Sequence, residues 1–147
     1  MILTVSPIRH IRDGLIESQR SKASLLLAVE QLVADLPFVT YFPAYELMMD
    51  DLRDYRFYEK DMIHPNQVAI DYIWKGFQQA YFSENTVQLL SQVKKVVTAS
   101  QHRPFHPTLL AHQTFLKNQL HTIERLTTSH SYLDFQAEVA LFEQQLL

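Results

Sequence analysis

The residues best suited to chemistry are Asp61 and His64, in the run Asp61-Met-Ile-His64-Pro65 that closes a charged and aromatic stretch beginning at Asp51. An imidazole three residues after a carboxylate, fixed by a proline and followed by a helix, can share one tight loop with it. His64 would then take a proton from an alcohol nucleophile, while Asp61 fixes its tautomer and stabilises the imidazolium. This is the base-and-orienter half of a hydrolytic triad. The same spacing also describes a capped helix start with an incidental histidine. No nucleophile lies in the stretch. Ser6 precedes His10, but no G-x-S-x-G elbow surrounds it and Pro7 forbids a helix-initiating turn of that kind. Ser6, Arg9 and His10 read instead as lining a site, with Arg9 suited to a carboxylate or another anionic substrate group. A salt bridge to one of the nearby acids accounts for Arg9 equally well. His102, His106 and His112 could suggest a metal, yet Pro104 and Pro107 break the i, i+4 geometry that would converge them. No metal and no cofactor are expected.

The elements that must position these residues follow from hydrophobic pattern. Ile2-Leu-Thr-Val5 reads as a buried strand stopped by Ser6-Pro7. The polar segment Ile8–Gly14 then sits at the strand's C-terminal end, where open α/β sheets place their sites. Ser18 or Ser21 can cap the next helix, whose Leu25, Val29, Leu32 and Leu36 predict a wide buried face. Pro37 ends it, and Phe38-Val-Thr-Tyr-Phe42 predicts a second strand closed by Pro43. Strand, helix, strand with this crossover is a βαβ unit, so the strands should be parallel. Ala44–Asp50 predicts a short helix. Asn66 caps another running to about Phe82, with Ala69, Ile73, Gly76, Phe77 and Ala80 facing the sheet. From Asp50 to Lys60 a mixed charge cluster, which is most often a solvated ion-pair network, interleaves with Tyr55, Phe57 and Tyr58, which should pack the loop down.

Beyond Ser83 the pattern is helix after helix, over 84–101, 108–128 and 131–147. Tyr132, Phe135, Val139, Phe142 and Leu146 step at seam spacing, so these helices should pack antiparallel through the Arg103–Pro107 and Thr127–His130 turns. The fold class expected is therefore α/β, with few parallel strands in residues 1–82 and a helical extension over 83–147, mostly helical by residue count. As an alternative to chemistry, the exposed seam would make the chain an interaction or self-associating module.

Composition bounds the rest. The 147 residues are 47% hydrophobic, enough for a core, and carry a net charge of −3. That balance argues against a nucleic-acid partner. No cysteine occurs, which excludes disulfide scaffolds and thiolate zinc sites. No apolar run reaches the length of a membrane span, and the N-terminus lacks the basic flank of a signal peptide, so a soluble cytoplasmic protein is expected. Only Gly14 and Gly76 are glycines, far below the usual ~7%. A complete parallel α/β enzyme needs more for its tight turns and oxyanion nests.

Several runs, taken in order, resemble the GSCFA family: Ile2–His10 with Asp13-Gly14, Ser21-Lys22-Ala23, Tyr41-Phe-Pro-Ala-Tyr-Glu46, Asp51–Tyr58 and Asp61–Pro65. They span residues 2 to about 77, and the helical tail carries no motif that matches. That family is related to the SGNH, or GDSL-type, hydrolases, so the resemblance implies a partial three-layer, flavodoxin-like domain and serine-esterase chemistry on a small-molecule ester or acyl substrate. It implies His64 as base and Asp61 as its orienting carboxylate. The sequence has no Gly-Ser-Cys-Phe-Ala run, which holds the nucleophile position in the family. The resemblance therefore implies a truncated member, inactive alone, completed by an upstream segment or a second copy.

Overall fold

The computed structural model describes residues 1–106 and 108–147, which form two compact units, Met1–Phe82 and Ser83–Leu147. In the first, β1 (Ile2–Leu3) and β2 (Thr40–Tyr41) pair in parallel, Ile2 opposite Thr40 and Leu3 opposite Tyr41. The crossover between them is α1 (Leu15–Asp35), so the βαβ order holds. Pairing reaches past the strands, since Phe42 N donates to the Leu3 carbonyl at 2.8 Å. Val5, Val39 and Phe42 are buried beside them.

Two expectations for α1 are corrected. The helix starts at Leu15, with Gly14 as its N-cap at φ 93° and no side-chain cap. Glycine enters that left-handed region without a Cβ penalty, so the chain turns into the helix there, ahead of either serine. Ser18 lies inside α1, buried, and its hydroxyl accepts from His10 N–H at 3.2 Å. Nor is the apolar face broadly buried: Leu25, Leu32 and Val33 are 48%, 40% and 38% exposed. A helix of this length runs about 30 Å, while two paired strands cover only ~10 Å, so most of the face has nothing beneath it.

After β2, α2 (Ala44–Glu46) widens into a π-helical turn over Leu47–Asp51, closed by Leu52 N donating to the Leu47 carbonyl at 3.0 Å. A short 3₁₀ turn follows at Tyr55–Phe57. Then comes α3 (Gln67–Tyr81), capped as expected by Asn66, whose Oδ1 accepts from Ala69 N at 3.2 Å. α3 has two partners, the sheet that was expected and the two turns that precede the helix. Tyr81 of α3 donates to the Tyr41 carbonyl of β2 at 3.3 Å and Phe77 meets Phe42 edge-on at 5.1 Å, while Ala69 packs fully buried against Met48, Leu52 and Tyr58 of the two turns. Ala80, expected on the same face, is exposed.

The second unit comprises α4 (Glu84–Ser100), α5 (Leu110–Ser129) and α6 (Gln136–Gln144), packed on one another. Ser83 caps α4 through Thr86 N at 3.2 Å. Val96, Leu116, Ile123, Leu126, Phe135 and Phe142 form the core. The last helix begins at Gln136, five residues later than expected, after Asp134 Oδ1 accepts from Gln136 N at 2.9 Å. The apolar seam is therefore not an exposed docking surface: Phe135 and Phe142 are 5% and 1% exposed, and Tyr132 alone of its aromatics faces solvent. Pro107, read as part of the turn before α5, lies outside the described residues. Among the described residues, no helix is long and apolar enough to cross a membrane.

Candidate functional site

The Asp61–His64 segment is built as a closed loop on the core of the first unit. Tyr58 and Pro65 pair as an antiparallel bridge, and Glu59 N donates to the His64 carbonyl at 2.8 Å. Tyr58 is buried with Met48, Leu52 and Ala69, which anchors the loop at its entry. Asn66 anchors the exit: besides capping α3, its Nδ2 donates to the Arg56 carbonyl at 2.7 Å. Between these anchors Met62 adopts φ 59°, a left-handed conformation that costs an ordinary residue about 1–2 kcal/mol. Bonds on both sides of Met62 hold it there, from its N–H to the Glu59 carbonyl at 2.9 Å and from Arg9 Nη1 to its carbonyl at 3.2 Å.

This turn brings the Asp61 carboxylate round onto the residues that follow it. Oδ1 accepts from the backbone N–H groups of Ile63 and His64 at 2.9 and 3.0 Å, and Oδ2 lies 2.6 Å from His64 Nδ1. An ionised carboxylate can only accept, so Nδ1 must carry the hydrogen, and a neutral imidazole then presents Nε2 as a bare lone pair. Nε2 has no hydrogen-bond partner among the described residues, and the side chain is 55% exposed. Asp61 is not the cap of α3, a role Asn66 fills. The capped-helix reading of this spacing therefore does not account for its carboxylate.

The hydrogen bond from His64 Nδ1, followed by those from the two backbone N–H groups, holds the Asp61 carboxyl down from 3.8 to about 2. For a depressed acid these contacts are fully present above the ordinary value and are lost as pH falls through the folded one. A carboxyl-carbon NMR titration of Asp61 should thus show a midpoint near 2. In His64→Ala it should rise toward 3.8 without reaching it, because two backbone donors remain. A wild-type midpoint at 3.8 would contradict the geometry.

Of the three residues expected to line the site, the structure brings Arg9 to the loop. Its backbone N–H reaches the Ile63 carbonyl at 3.4 Å, and its guanidinium lies over Tyr58 at 4.3 Å and Tyr55 at 5.3 Å. The salt bridge that was the alternative for Arg9 is not formed: among the described residues no acid pairs with it, and it makes carbonyl and ring contacts instead. Ser6 is exposed, with its hydroxyl accepting from Ile8 N at 3.3 Å. His10 donates its backbone N–H to Ser18 of α1 at 3.2 Å, and its ring Nδ1 lies 3.8 Å from Asp13. Among the described residues, neither is hydrogen-bonded to His64. Sequence reasoning gave no role to Lys22 or Tyr45, which stand at the end of β1 with Arg9; both fall in the runs that carry the family resemblance. Among the described residues no cluster of histidines and acids is placed to hold a metal ion.

A βαβ unit whose strand-end loop is tied by Arg9 to an Asp–His turn defines a mostly helical α/β protein with a candidate acid–base dyad. The chain belongs to the GSCFA family: that family's model matches residues 1–77, and the model for the GSCFA domain protein, C-terminal domain, matches residues 93–147. No curated protein and no solved structure matches the chain.

Proposed function

We propose that the first unit carries the base and orienting carboxylate of a serine-esterase-type hydrolase of the SGNH kind, acting on an ester or acyl group. His64 Nε2 takes the proton from a seryl hydroxyl and returns it to the leaving group, and Asp61 holds Nδ1–H and stabilises the imidazolium. Arg9 positions the loop and faces the substrate side. The observation that carries this reading is the 2.6 Å contact between Asp61 Oδ2 and His64 Nδ1, with Nε2 left open. The second support is the short parallel βαβ unit, the building block of a doubly wound sheet.

The hydroxyl would come to Nε2 from a segment or chain other than these residues, and the 147 residues by themselves would not turn over ester. A cytoplasmic setting is part of the same proposal. The test is turnover of a panel of acyl esters by a form of the protein that carries the seryl nucleophile, with His64→Ala as its comparison. Unchanged turnover in the variant would overturn the proposal.

A further inference from the structure

A cavity of about 250 Å³ opens between the loop that follows β1 and the first turns of α1, with Arg9, Lys22, Tyr45 and Tyr55 in its walls. Its remaining polar side chains are neutral, Ser18 and Gln19, and the rest of the lining is apolar. Two cations thus share one small space without a carboxylate in its walls. Arg9 is spread over Tyr58 and Tyr55 and gives Nη1 to the Met62 carbonyl. Lys22 gives Nζ to the Ser6 carbonyl at 2.6 Å and lies 5.8 Å from the centre of the Tyr45 ring. These partners are neutral, so they satisfy donors without neutralising charge. Among the described residues no acid pairs with either cation, and Glu17, on the same helix as Lys22, pairs with Arg20. Partial burial also lowers the Lys22 ammonium from its ordinary range.

We propose that this cavity binds a phosphomonoester, its dianionic head between Arg9 and Lys22 and a small apolar or aromatic body against the tyrosines. Two fixed positive charges match the near-dianionic charge of a phosphomonoester at neutral pH and over-compensate a single carboxylate. Arg supplies a planar fork and Lys a point charge, both suited to phosphoryl oxygens. The volume corresponds to about eight waters of the liquid, room for a phosphoryl group and one ring. The cavity shares Arg9 with the hydrolytic reading but not the dyad, since neither Asp61 nor His64 lines it.

Phosphorus NMR titration of phenyl phosphate into the 147-residue protein tests it. Saturable binding is expected, tighter than inorganic phosphate or benzoate and weakening as salt rises. Lys22→Gln and Arg9→Gln should each weaken it at least tenfold, and Lys22→Arg should largely retain it. The two glutamine variants are independent, so misfolding of one leaves the other to decide. His64→Gln should bind as the parent does; loss there would place the anion at the dyad and overturn the proposal, whatever becomes of the hydrolase reading. Absence of saturation, equal binding in a folded glutamine variant, or preference for benzoate would also overturn it.

Discussion

Replacing His64 with Ala, in a form of the protein that carries the seryl nucleophile, should lower ester turnover by about 10⁴-fold or more, with little change in KM. The loss falls on turnover because Nε2 acts on the proton that moves during attack, whereas ground-state binding of the ester does not use it. Asp61→Asn should approach the same loss by a different route. Its remaining oxygen can still accept from the N–H groups of Ile63 and His64, so the turn keeps its shape. The amide cannot stabilise an imidazolium and can present a donor to Nδ1, which would leave the hydrogen on Nε2, where the base needs a lone pair. Steady-state kinetics on acyl esters, with circular dichroism to confirm folding, checks both. Full activity in His64→Ala would remove the residue from the chemistry.

In the second unit the largest effect should come from Phe142→Ala, at about 3–5 kcal/mol of stability. Phe142 is 1% exposed and packs among Val96, Leu116, Ile123, Leu126 and Phe135. A helical unit of this size has a small core, and a loss on that scale is comparable to the whole stability of many domains. Tyr132→Ala, ten residues earlier and 74% exposed, should shift stability by no more than about 0.5 kcal/mol. Urea unfolding of both variants would separate a packed seam from an exposed one. Equal, small losses would show that Phe142 is not in a core.

The contrast between these two aromatics shows what periodicity can and cannot say. Spacing of +3 and +4 places Phe135 and Phe142 on one stripe, but not the helix boundary at Gln136 that leaves Tyr132 outside it. The parallel pairing of β1 and β2 was legible because two β-branched apolar runs flanked a long helical period. Asn66 was legible because its amide suits an N-cap before a clear period. The start of α1 was not. Gly14 caps through backbone conformation alone, and cap preferences favour the serines beyond it. Exposure of Leu25, Leu32 and Val33 was also hidden, since a pattern identifies a face without saying whether anything covers it. At the candidate site, spacing put Asp61 and His64 on one loop. It could not reveal the left-handed Met62 that turns the carboxylate back, nor the approach of Arg9 across more than fifty residues to the Met62 carbonyl. The Lys22 cavity was invisible for the same reason: Lys22 meets the Ser6 carbonyl only because α1 folds back along β1.

The most direct measurement is a long-range nitrogen–proton NMR correlation spectrum of the His64 imidazole at neutral pH. With Asp61 ionised down to about pH 2, the neutral ring should carry its hydrogen on Nδ1, and Nε2 should show the shift of an unprotonated nitrogen. In Asp61→Asn that preference should be lost. A wild-type ring protonated on Nε2, or one unchanged by Asp61→Asn, would contradict the assignment of His64 as a base oriented by Asp61.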